Sequence, residues 1–242
     1  MNANKVEIKR LLPEKLSKTD WFAISDLIYG TDDDIFSDFF GDKEVARDIF
    51  PALIRKSSGL FSYENIRIAQ KVTDIVGVIV FSYNKKFELE IEDGHIESLP
   101  KSYNAVKEKY FDGLLAEFSG INDVIYASCI SVREDKRREN IGAMLIQEMI
   151  QECGYENDIY LDIVASNHPC IKLCTDERLG FGFKIIKTFD DYKKGGTMDL
   201  PCKTLFRLKG NSRQEKSLNG SPRKDGLHMP SEFEPHEGCW ML

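Results

Sequence analysis

The spacing of apolar positions divides the chain into alternating short strands and helices. Residues 6–11 and the Val, Ile and Phe-rich runs around 66–71 and 75–82 predict strands, the last two antiparallel and joined near 72–74. Between them, Trp21, Ile24, Leu27 and Ile28 recur at helical spacing behind Thr19 or Asp20 as a cap. A turn at 32–34 follows, and then two helical pieces split at Gly41. They carry Ile35, Phe36, Phe39 and Phe40 in the first and Val45, Ile49, Phe50, Leu53 and Ile54 in the second.

The second half continues the alternation. A strand is expected over 123–132, and the helix after it places Ile141, Leu145 and Met149 on one stripe with Met144, Ile146 and Ile150 beside it. A strand over 159–165 and a short helix to about Leu179 come next, the helix terminated by Gly180. Strands over 181–189 and 204–208 close the pattern. Residues 84–121, with a charged stretch at 87–97 and a helix at 103–118, are too long for a hairpin loop and read as an insertion or lid. Beyond Leu208 the chain turns to Ser, Gly, Pro, Asn and charge, so 1–208 is read as the domain and 209–242 as a disordered tail.

Composition narrows the classes. The 242 residues suit one generous core, and no apolar run approaches the ~18 residues needed to span a bilayer. The formal charge of -7 argues against a nucleic-acid partner, whose phosphates call for a basic face. The start MNANKVEIKR lacks a signal-peptide profile, which predicts a cytoplasmic protein with no membrane partner. Six cysteines without a C-x-x-C pair and four histidines without ligand spacing predict no metal site. In the tail, Cys239-Trp-Met-Leu has the register of a prenylation box and Asn219-Gly-Ser that of a glycosylation sequon. The first has Trp where an aliphatic residue belongs, and the second has no role without secretion.

The chemistry-bearing stretch is ISVREDKRRENIGAMLI, residues 130–146, in which a strand ends, a charged turn follows and a helix opens at small residues. A helix N-terminus presents unpaired N–H groups and partial positive charge, suited to a phosphate or pyrophosphate. Arg137 and Arg138 flank it, able to add charge-assisted bonds, and Gly142 and Ala143 leave room for close approach. Taken alone, such a run also fits a solvated helix cap. A second element, IYLDIVASNHPCIKLCTDERLGFGF at 159–183, places Asn167 between a strand and a helix, with Gly180 and Phe181 after it.

Together these stretches resemble the GNAT superfamily of N-acetyltransferases. The family's V-x-x-x-x-[RQ]-x-x-G-x-[GA] falls on Val132, Arg137, Asn140 and Gly142, and its N-x-x-A-x-x-L-Y followed by G-F falls on Asn167, Cys170, Leu173, Cys174, Gly180 and Phe181. The resemblance covers about residues 4–208 and implies an α/β fold: a mixed, mostly antiparallel twisted sheet of six to seven strands flanked by helices. It implies acetyl-CoA as co-substrate, bound by backbone groups of Ile130 and Val132, by Arg137, Arg138, Asn140, Ile141, Gly142 and Ala143, and by Asn167. Acetyl transfer to a primary amine of a small molecule or peptide, in a ternary complex, is the implied activity, with a homodimer left open.

Three positions depart from the family pattern. Asn140 replaces the middle glycine of the loop, a change compatible with left-handed backbone. Cys174 stands where many relatives carry the tyrosine that protonates the leaving thiolate, and Tyr126 where some carry a glutamate base. Cys174 is thus the candidate acid, and Tyr126, Asp123, Glu117 or a water chain the candidate base. These departures keep a second reading open, a degenerate acyl-CoA-binding or protein-interaction domain. His168, beside Asn167, reads as an exposed helix-start residue.

Overall fold

In the computed structural model, which describes residues 5–83, 99–108, 118, 124–153, 157–179, 181–189 and 205–211, the expected strands form at nearly the expected places. They are β1 (Val6–Arg10), β2 (Ile66–Lys71), β3 (Asp74–Tyr83), β4 (Val124–Val132), β5 (Asp158–Val164), β6 (Lys184–Phe189) and β7 (Leu205–Asn211). They join in one sheet of order β1-β2-β3-β4-β5-β7-β6. Among the described strands only β4 and β5 run parallel. The mixed, mostly antiparallel sheet expected from the sequence is therefore present, with β7 continuing through residues 209–211, which composition assigned to the tail.

The helices are α1 (Lys18–Tyr29), α2 (Asp33–Phe40), α3 (Lys43–Arg55), α4 (Tyr103–Val106), α5 (Ile141–Cys153) and α6 (His168–Thr175). Local chemistry moves two expected boundaries. Ser17, not Thr19 or Asp20, caps α1: its side chain accepts from Asp20 N–H while the Asp20 carboxylate accepts from Ser17 N–H, a reciprocal capping box. The acidic residues at 32–34 are not all turn, because Asp32 caps α2 through Ile35 N–H and Asp33 already lies inside the helix. Residues 84–98, 109–117 and 119–121 of the expected insertion and helix, Gly180, and the tail beyond Asn211 lie outside the described residues.

Strand alternation sends side chains to two faces. On one, Ile68, Val78, Val80, Cys129 and Val164 meet α1, α2 and α3 across an aromatic core in which Phe40 packs on Phe39 and Phe50 at centroid distances of 4.6 and 4.9 Å. On the other, Ile79, Phe81, Ile130, Leu161 and Ile163 pack against Ile141, Leu145, Ile146 and Met149 of α5 and Cys170 and Cys174 of α6. Glycine at position 77 sets how closely α5 can lie: a Cβ there would stand 3.1 Å from Ile141 Cγ2 and 3.1 Å from the Ser131 carbonyl. The far end of α5 is held by Glu152, which takes the Arg67 Nε–H at 2.6 Å and pairs with Arg10 as well. Burial pushes the Glu152 pKa up, but these two guanidiniums outweigh it and hold the carboxyl below its ordinary value.

Among the described residues no helix is long and apolar enough to cross a membrane. Nor is any group of His, Cys, Asp and Glu there placed to hold a metal ion.

Candidate functional site

The site begins where β4 and β5 separate. Their parallel register runs from Val124 opposite Asp158 to Ala127 opposite Leu161 and stops there, although both strands continue. On its other side β4 stays paired with β3 as far as Val132 opposite Gly77. Between Val80 and Phe81 that register shifts, with Cys129 and Ala127 as successive partners, so Ser128 is the extra residue of a bulge. A bulge bends its strand and increases the local twist. Residues 128–132 of β4 thus lean with β3, away from β5, and a fork opens.

The ladder shows which backbone groups face that fork. Arg133 N–H donates to the Val76 carbonyl at 2.9 Å, making 133 and 76 a hydrogen-bonded pair. Alternation along an antiparallel ladder then turns the N–H and C=O of Cys129 and Ser131 toward β3 and those of Ile130 and Val132 away from it, into the fork. These are the two strand positions expected to meet a pantetheine arm.

At the open end lies the loop that starts α5. Arg138 and Asn140 both adopt left-handed backbone, with φ of 67° and 65°. Asparagine tolerates this conformation because its short polar side chain can bond locally. The Asn140 carbonyl accepts from Met144 N–H at 3.1 Å and so closes the first helical turn. The N–H groups of Ile141, Gly142 and Ala143 precede the first possible intrahelical partner. The Asn140 side chain does not cap them: its buried Oδ1 has no hydrogen-bond partner among the described residues, nor has the buried Nε of Arg137.

The basic residues around this loop divide into two pairs. Arg133 and Lys136 are both bound to Asp135, at 2.6 and 3.1 Å, and their hydrogen bonds hold its carboxyl down at about 2. No ion pair engages Arg137 or Arg138 among the described residues. Gly142 has a second role as well: a Cβ there would lie 3.3 Å from Leu173 Cδ2, so its absence lets α6 close on the start of α5. Asn167 is buried and caps α6, accepting from Cys170 N–H at 3.1 Å. His168 is exposed at the first turn.

The candidate acid and base positions lie on opposite faces of the sheet. Cys174 is fully buried among the apolar residues beneath α5 and α6, one turn from Cys170. Tyr126 lies on the other face beside Phe118 and Tyr160, at centroid distances of 5.4 Å from Phe118 and, for Phe118 to Tyr160, 5.1 Å. Its hydroxyl donates to Asp162 Oδ2 at 3.1 Å. Asp162 belongs to β5 immediately past the last residue paired with β4, is fully buried, and was absent from the sequence-derived candidates. A carboxylate inside the apolar run Tyr160-Leu-Asp-Ile-Val was the signal for it, since charge is rarely buried without a task or a partner. Glu117 and Asp123, the other expected base candidates, lie outside the described residues.

Three solved structures can be laid over this architecture at similar extent. An N-acetyltransferase from Staphylococcus aureus Mu50 superposes with a TM-score of 0.54 at 15% identity, over 84% of this chain and 99% of that one. A second acetyltransferase gives 0.52 at 16% identity over 85% and 99%. A provisionally named acetyltransferase of the GNAT family from Desulfovibrio desulfuricans gives 0.50 at 12% identity over 86% and 99%. This chain has the GNAT fold.

No protein-family model matches the chain. A stretch of 27 residues is 52% identical to a provisionally named agmatine deiminase of Mycoplasma capricolum, a match over 11% of this chain and 7% of that protein. The GNAT fold, by contrast, is matched along 84–86% of the chain.

Proposed function

We propose that this protein is an acyl-CoA-dependent N-acyltransferase, acting on a primary amine of a small molecule or peptide with acetyl-CoA as donor. The observation that carries the reading is the α5 opening, with the N–H groups of residues 141–143 ahead of the first intrahelical bond, a left-handed loop and a buried Arg137 Nε that has no hydrogen-bond partner among the described residues, in the turn that follows the forked end of β4. Buried polar atoms are costly unless bonded, and these are arranged to be completed by an anion.

The residues fit the expected co-substrate. Arg137, Arg138 and the N–H groups of residues 141–143 would hold the pyrophosphate, and Ile130 and Val132 would offer backbone bonds to the pantetheine amides in the fork. Acetyl-CoA supplies the acyl group already activated as a thioester. The chain's own part is to align that arm against β4, to exclude water, and to place a backbone N–H where charge develops on the thioester oxygen. Cys174, on α6, remains the candidate thiol donor for the leaving sulfur, weak as S–H donors are. The acidic residues of 32–42 favour a cationic acceptor if they face its path.

Calorimetric titration with acetyl-CoA tests the reading. Saturable binding in the micromolar range is expected, together with release of free CoA thiol when alkylamines, polyamines or peptides are added. Absence of binding at high micromolar acetyl-CoA overturns it. Binding without thiol release from any acceptor replaces it with an acyl-CoA-binding domain that has no turnover.

A further inference from the structure

Glycine is unfavourable in the middle of a strand, where it has the most backbone freedom to lose and no side chain to pack. Gly77 nevertheless stands inside β3, buried between Val76 and Val78. Its backbone is not left-handed, so conformation does not call for glycine there. Space does. A Cβ at this position would meet Ile141 Cγ2 at 3.1 Å, the Ser131 carbonyl at 3.1 Å and Ala69 Cβ at 3.3 Å. Two of these neighbours belong to the strands on either side, and the third is the first residue of α5.

The place of this gap in the sheet matters for the site. In register Gly77 lies opposite Ala69 on β2 and opposite Val132 on β4, which makes a low spot in which Ile141 is seated. Val132 is one of the two residues whose N–H and C=O turn toward the fork. Ile141 carries the first of the three N–H groups ahead of the first intrahelical bond. A Cβ on Gly142 would stand 4.0 Å from Val132 Cγ2, so the helix start rests against the same part of β4. The opening of α5 and the forked edge of β4 are thus held together across a single residue of β3.

Resting on the acyltransfer reading above, we propose that Gly77 is a positioning residue for the co-substrate. Its missing side chain fixes the separation between the α5 opening, which takes the diphosphate, and the Ile130–Val132 edge, which takes the pantetheine arm. These are two parts of one molecule. The second part binds as an intramolecular step only while the spacing of the two sites matches the span of the ligand. A methyl group at position 77 has to displace its neighbours by a few tenths of an ångström, and Ile141 yields more readily than a strand carbonyl. The helix opening then moves relative to the fork while each half of the site keeps its own groups. Gly77 touches no ligand atom in this scheme and acts through Ile141.

The test uses two ligands, acetyl-CoA, which needs both halves, and its nucleotide portion, 3′-phospho-ADP, which needs only the loop. Wild type, Gly77→Ala, Ile141→Ala and the double variant are titrated calorimetrically with each. Linking two binding parts gains on the order of a hundredfold or more, so a partial mismatch in Gly77→Ala should weaken acetyl-CoA roughly tenfold and the nucleotide by less than about threefold. Ile141→Ala empties the seat instead of overfilling it and should show the same selective loss. The double variant, in which the added methyl group has room, should bind acetyl-CoA more tightly than Gly77→Ala. Unchanged acetyl-CoA affinity in folded Gly77→Ala, equal losses for the two ligands, or a double variant no better than Gly77→Ala each overturn the positioning role. Should Gly77→Ala fail to fold, the comparison of ligands is decided on Ile141→Ala. Wild type that binds acetyl-CoA but no nucleotide at millimolar concentration also overturns it, because one half of the site would then hold the whole molecule. Wild type that binds no acetyl-CoA overturns the acyltransfer reading itself.

Discussion

Strand β4 has two seams, and they are built differently. Toward β3 it pairs antiparallel over the full stretch from Tyr83 to Gly77, with a bulge at Ser128 absorbed on the way. Toward β5 it pairs parallel over only Val124 to Ala127 and then parts. The closed seam has its backbone groups satisfied within the sheet and Phe81 and Ile79 packed under α5. The open seam leaves the N–H and C=O of Ile130 and Val132 beyond the end of the β5 pairing. The same strand thus serves as scaffold along one edge and, in the function proposed above, as binding surface along the other. What separates the two roles is register rather than composition.

If that division is right, substitutions at the two seams should move different observables. The largest expected effect belongs to the closed one. Phe81 is 1% exposed and lies under the Arg67 guanidinium. Phe81→Ala should cost about 3–5 kcal/mol of stability, as truncations of buried aromatics do. The urea midpoint reads this directly, and a loss below 1 kcal/mol would show that the closed seam is not the scaffold.

A smaller effect, of another kind, is expected at the open seam. Arg137→Ala removes a group with no protein partner among the described residues, so the urea midpoint should hardly move. Its loss as a charge-assisted donor, worth ~1.5–3 kcal/mol, should weaken acetyl-CoA roughly ten- to hundredfold by calorimetry. Unchanged affinity would remove Arg137 from the anion site.

The smallest effect sharpens the comparison through α5, whose first turn faces the open seam and whose last turn is clamped to β1 and β2. Glu152 sits there with its pKa lowered in the folded protein. A lowered folded value stabilises above the unfolded pKa, and that contribution disappears as pH falls through the folded value. Glu152→Gln removes it, so the variant's stability should decline less steeply than wild type's below about pH 5. Parallel curves for the two proteins would mean that the clamp adds nothing titratable.

Much of this was legible in the chain. Period-two and period-3.6 spacing located the strands and the longer helices, and the stretch from Val132 to Gly142 marked the loop before its geometry was known. Other features were not. Four basic residues clustered in the sequence, yet Asp135 holds Arg133 and Lys136, and only Arg137 and Arg138 are without an ion pair among the described residues. Gly142 read as room for an anion and is also the place where Leu173 closes on α5. Asp162 passed unnoticed because its meaning depends on Tyr126, a residue 36 positions earlier.

The sequence by itself determined which segments become strands and helices, which faces are apolar and where a left-handed loop is tolerated. Those outcomes follow from backbone sterics and side-chain periodicity acting over a few neighbouring residues. Only the tertiary structure decided where the sheet opens, which arginines keep an uncommitted charge and which hydroxyl meets the buried carboxylate. These depend on register between strands distant in the chain, where one added residue at Ser128 redirects everything beyond it.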